Sequence, residues 1–217
     1  MKRSIIRQTG IAAAALALSV SLAACGSDDN GGDDKTTAED TPSQTESSAP
    51  SDDMADDAGA ETFGAGCAKI PTSGAGSFNG MATEPVATAA SANPLLETLV
   101  TAVGEAGLGD TLNSAEALTV FAPTNDAFAK IPADTLKGVL ADKATLTKIL
   151  THHVIAGQLG PDELAGKHKT LAGDTIMVKG SGEDFTVGGE NAAVLCGNIP
   201  TANATVYVVD SVLMPAS

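Results

Sequence analysis

Apolar residues are unevenly spaced along the chain, and their spacing divides it into segments. Ile11–Val20 is a short unbroken apolar run behind a basic Met1–Gln8, whereas Gly26–Thr62 offers almost nothing to bury. Periodic apolar segments return further on. Pro85–Ala92 reads as a helix with proline in its first turn. Pro94–Ala106 reads as another, with Leu95, Leu96, Leu99, Val100 and Val103 on one stripe. Leu118–Ala122 reads as a short buried strand. Thr124 then opens a helix through Lys130, its hydroxyl accepting from backbone N–H groups two or three residues on. Pro132–Leu140 and Asp142–Thr151 predict two more helices, with Asp134 and Asp142 near the starts, where the macrodipole favours an acid. From Val154 the period shortens. Thr175–Lys179, Phe185–Gly188, Ala193–Leu195 and Thr205–Val209 are short, β-branched and punctuated by glycine, which predicts strands. Helices first and strands later predict an α+β domain rather than a doubly wound sheet.

Charge sharpens these divisions. The chain has 217 residues and a formal charge of −15, with no basic stripe, which argues against nucleic acid as a partner. Residues 1–24 carry +3, residues 25–63 carry −11 and residues 64–217 carry −7. Aromatics are limited to Phe63, Phe78, Phe121, Phe128, Phe185 and Tyr207, too few for a base-stacking or sugar-stacking platform.

Basic residues, a short apolar run and small residues before a cysteine read as an export signal over residues 1–24. Leu22-Ala23-Ala24-Cys25-Gly26 resembles the lipobox of bacterial lipoproteins. That resemblance implies a diacylglyceryl thioether on Cys25, which becomes the mature N-terminus and holds the protein to the membrane. Residues 25–63 follow as a lipidated cysteine and an acidic tether whose composition cannot repay chain entropy and predicts disorder. With Cys25 lipidated, Cys67 and Cys196 remain, and an oxidising destination predicts that they pair.

Residues 64–217 form the predicted folded domain. Thr119-Val-Phe-Ala-Pro-Thr-Asn-Asp-Ala-Phe128, Leu150-Thr-His-His-Val-Ile-Ala-Gly157 and Ala202-Asn-Ala-Thr-Val-Tyr-Val-Val-Asp-Ser-Val-Leu-Met-Pro215 resemble, in order, the signatures of the fasciclin (FAS1) domain. With the lipobox, the chain is similar to the mycobacterial surface lipoprotein antigens that carry one such domain. The resemblance implies helices packed on a mixed sheet or a wedge-shaped β-sandwich of short strands. It also implies a cell-surface binding or adhesion role toward an extracellular protein or matrix. One departure stands out: His152 occupies the place where the family often has tyrosine.

The signature residues read first as architecture. Pro123 forces extended backbone before it. Thr124 caps, Phe121 and Phe128 face the core, and Asn125 satisfies backbone groups at the turn. His152 and His153, adjacent on a helix, should point to different sides, with His153 buried on a backbone or Asp partner, Val154 beginning the strand grammar, and His152 in solvent. Asp210 reads as a turn or hydrogen-bonding residue. No GxSxG surrounds Ser77 or Ser181, no GxGxxG opens a helix, and Gly160–Gly166 followed by Lys167 and His168 departs from a phosphate loop. The chain is therefore read as a non-enzyme without cofactor or metal, and as a monomer. The alternative is a carrier or sensor of a small apolar ligand such as a lipid, for which the many Ala and Gly residues would leave room.

Overall fold

The computed structural model describes residues 58–215; the leader, Cys25 and the tether up to residue 57 lie outside the described residues. Helices dominate the first part: α1 (Phe78–Ala82), α2 (Val86–Ser91), α3 (Glu97–Ala106) and α4 (Gly109–Ser114). After strand β1 (Leu118–Pro123) come α5 (Asn125–Ala129), α6 (Ala133–Ala141) and α7 (Lys143–His152). The remainder is β2 (Val154–Ala156), α8 (Pro161–Leu164), β3 (Gly166–Lys169), β4 (Thr175–Ser181), β5 (Asp184–Val187), β6 (Ala192–Pro200) and β7 (Ala204–Val209). The α+β class follows directly from this order.

The strands form one seven-stranded sheet ordered β2-β1-β7-β6-β5-β4-β3. It is mixed: β1 and β7 run parallel, and the other neighbours are antiparallel. A backbone bridge between Ile155 and Thr170 brings the two edge strands together, so the sheet curls almost into a barrel. Such closure removes most of the unpaired edge that would otherwise template association.

Two cores result, and β1 shows why. Its residues are buried on both faces, and side chains alternate across a strand. Leu118, Val120 and Ala122 face the helices, in a cluster built mostly from Ala, Val, Leu and Ile. Phe121 faces the barrel interior with Phe63, Phe185 and Tyr207. The rings lie 6.0 Å apart for Phe121 and Tyr207, 6.2 Å for Phe63 and Tyr207, and 5.6 Å for Phe63 and Phe185. Four of the six aromatics thus fill one small space.

Several expectations change. Phe63, assigned to the tether, is buried inside the barrel and bridges Gly197 through two backbone hydrogen bonds of 3.2 and 2.8 Å. The reason is composition: it is the one aromatic residue in that acidic stretch, whose only other large apolar side chain is Met54. The stripe on α3 also shifts. A 3-10 turn at Pro94–Leu96 precedes the helix, so Leu96, Leu99, Ala102 and Ala106 are buried while Leu95, Val100 and Val103 are half-buried. The strand expected at Ala193–Leu195 is longer, because β-bulges carry β6 past Cys196 and Gly197 to Pro200. The first half of β6 faces the barrel, through Ala192 and Val194, and the second half faces the helices, through Cys196 and Ile199. Cys196 is bonded to Cys67, closing a separation of 129 residues.

Candidate functional site

The three segments singled out in the sequence become three adjacent strands. Val120 in β1 pairs with Val154 of β2 on one side and Val206 of β7 on the other. Their caps and turns gather at the end of β1. Pro123 closes that strand, and the Thr124 N–H donates to the Val209 carbonyl at 3.2 Å. The Thr124 hydroxyl accepts from Ala127 N at 3.2 Å and so caps α5. Phe128, one turn on, is buried in the helix-side core.

Asn125 was expected to satisfy its own turn. It reaches further: Oδ1 accepts from Thr98 N at 3.0 Å and Nδ2 donates to the Pro94 carbonyl at 2.9 Å. A β1–α5 turn residue therefore clamps the start of α3. Asp210 binds Ala193 N through Oδ1 at 2.8 Å and Lys130 Nζ through Oδ2 at 2.9 Å. Desolvation alone would raise the Asp210 carboxyl, but the Lys130, Ala193 and Ser211 donors outweigh it and hold it below its ordinary value.

His153 joins three elements. Its ring Nδ1 donates to Ile149 O at 2.8 Å, its Nε2 accepts from Leu213 N at 2.9 Å, and its carbonyl accepts from Phe121 N at 2.9 Å. Those partners dictate one neutral tautomer, because a proton on Nε2 would face the Leu213 N–H. Burial drives its pKa down to about 4, against an ordinary 6.5. Val154, the next residue, opens β2 and packs in the helix-side core.

His152 is not in solvent. It is buried at the end of α7, with Nδ1 at 2.8 and 2.9 Å from the two Asp174 oxygens. The helix ends here, and the turn after β3 folds over it, so both neighbouring histidines lose contact with water. The Thr170 hydroxyl donates to the same carboxylate. Desolvation would raise Asp174, but the Thr170 and His152 donors pull it below its ordinary value. The hydroxyl lies on the carboxylate and not on the imidazole, so the three groups do not form a nucleophile–base relay.

Sequence reasoning overlooked other polar residues of equal weight. Asn203 accepts from Val86 N at 2.9 Å and donates to Leu112 O and Ala115 O, each at 2.8 Å. It holds α2 and α4 against the loop before β7. The Thr119 hydroxyl, inside the barrel, donates to Gly157 O at 2.7 Å and accepts from Leu159 N at 2.9 Å. Tyr207 donates to Leu159 O at 2.8 Å, and burial, with the Glu163 carboxylate after it, pushes its pKa up. A buried polar residue inside an otherwise apolar strand was the available signal for Thr119 and Tyr207. Among the described residues, no three His, Cys, Asp or Glu side chains gather as metal ligands, and no helix is long and apolar enough to cross a membrane.

An α+β domain whose three sequence signatures form adjacent strands, pinned by buried Asn and His side chains, defines a structural class. The fasciclin domain profile matches residues 94–215, and the chain belongs to that family. It is 50% identical over 171 residues to the cell surface glycolipoprotein MPB83 of Mycobacterium bovis, covering 75% of this chain and 76% of that one. It is 48% identical over 167 residues to the immunogenic protein MPT70 of Mycobacterium tuberculosis, covering 73% and 84%. Protein sll1483 of Synechocystis is 37% identical over 129 residues, covering 58% and 71%. Among solved structures, a FAS1 domain pair from the insect cell adhesion molecule fasciclin I aligns with TM-score 0.47 and 24% identity, over 55% of this chain and 45% of that one.

Proposed function

We propose that this protein is a lipid-anchored, cell-surface binding module that works by adhesion and not by catalysis. The observation that carries the reading is the 50% identity, over three quarters of the chain, to a protein named a cell surface glycolipoprotein. The lipobox at Leu22–Cys25 supports the anchor and the outward location. The use of Thr119, Thr124, Asn125, His153 and Asn203 in joining backbone segments supports a rigid scaffold, leaving partner recognition to its surface. The partner in this reading is an extracellular protein or matrix component, met by a monomer. Cells fed an alkyne-tagged fatty acid test the anchor. The native chain should take up label and be shaved by protease from intact cells, and Cys25→Ala should remain an unlabelled precursor. Labelling of Cys25→Ala at normal mature size would defeat the anchor. Crosslinking on intact cells tests the binding role, which fails if no extracellular protein or matrix component is captured.

A further inference from the structure

The helix layer encloses an apolar cavity of about 70 Å³ between α2, α3, α4, α7 and β1. Ala90, Leu99, Val103, Leu112 and Val120 form its walls. His153 also borders it, but both of its ring nitrogens are already engaged. Apart from the Thr111 and Thr151 hydroxyls at its mouth, the lining offers water no free partner, so the interior stays dry.

The cavity opens beside Leu171. That residue is 44% exposed, one of two large apolar side chains so exposed among the described residues. It is held there by a built turn. Leu171 N donates to Val154 O at 2.8 Å, Ala172 N donates to Thr151 O at 3.3 Å, and Thr170 and His152 both bind Asp174. An exposed leucine fixed at the mouth of a dry cavity extends the apolar surface outward. The polar rim is supplied by Thr111 and Thr151.

Size selects among apolar ligands. A cavity of about 150 Å³ admits benzene. At about half that volume, this one is too small to bury a ring and holds only a few carbons. We propose that it binds the methyl end of an unbranched acyl chain, with Leu171 as the outer lip and the chain's polar head in water. This site is separate from the adhesion reading and stands or falls without it.

The probe is sodium decanoate, titrated below its micellar range into the purified full-length chain and followed by the methyl resonances of Val103, Leu112 and Leu171. Saturable one-to-one shifts of these methyls are expected. Val103→Phe fills the cavity and should weaken binding at least tenfold. Leu171→Ser changes only the lip and should weaken it severalfold without moving the melting temperature, so the test survives if Val103→Phe does not fold. Overturning results would be decanoate that shifts none of these methyls, equal affinity in both variants, or benzene binding as tightly as decanoate. If Val103→Phe abolishes capture of an extracellular protein while decanoate never binds, the cavity belongs to that partner's side chain and the acyl proposal is wrong.

Discussion

His153 is held neutral, and acid is the way to challenge it. Its unfolded value is near 6.5 and its folded value about 4, so between those values the unfolded chain binds the extra proton. Stability is fully present above the upper value and falls as pH drops through the window, by about 3 kcal/mol over the whole range. Asp174 and Asp210, whose folded values are depressed, lose their contributions only below the ordinary carboxylate range. Denaturant melts at pH 7.5, 5.5 and 4 should show the native chain losing this increment, while His153→Gln starts less stable but lacks the slope. Equal slopes would remove His153 from the account. Asn125→Ala should cost about 1–3 kcal/mol, because it strands the half-buried Thr98 N–H, whereas the exposed Pro94 carbonyl turns to water. A stable Asn125→Ala that no longer binds its partner would instead make Asn125 a contact residue. What could be read at this scale was local. Thr124 and Phe128 announce a cap and a core position within four residues. The partner of His152 lies 22 residues away and that of Asn203 as far as 117, and no spacing rule reaches so far.

Among the elements, β1 and β7 were legible because nearly every position on both of their faces is buried, so each reads as a continuous run of mostly apolar residues. Strand β3 was not. Gly-Lys-His-Lys has no strand character of its own and is extended only because β4 pairs with it. The second half of β6 was hidden by Gly197 and Asn198, which look like a turn and are instead the site of a bulge. Gly197 is required there: a β-carbon would enter the ring of Phe63. Gly197→Ala should therefore displace Phe63 and cost about 1–3 kcal/mol as an overpacking change. Differential scanning calorimetry would show it, and an unchanged melting temperature would mean that the ring relocates freely. Replacing Cys67 and Cys196 together by Ala should lower stability by at most about 5 kcal/mol in the chain-entropy picture. A reduction series that leaves the melting temperature untouched would contradict that.

For the whole molecule, the boundary between tether and domain is the point to test. Removing residues 26–57 should leave the melting temperature of the remainder unchanged. Extending the deletion through Phe63 should lower it sharply, since loss of a buried phenylalanine costs about 3–5 kcal/mol. Two deletions with the same melting temperature would return Phe63 to the tether. The bond between Cys67 and Cys196 has a further consequence once the two ends of the chain are pulled apart. Tension passes from Cys67 straight into β6, and the residues between the cysteines form a covalent ring that cannot lengthen. Only the stretches outside the ring, residues 1–66 and 197–217, can pay out. Reducing the bond releases 129 residues to the pull, roughly 430–460 Å of extra contour at full extension. Under force the oxidised domain therefore adds little length to that of its tether, and the same domain after reduction becomes a long, yielding link.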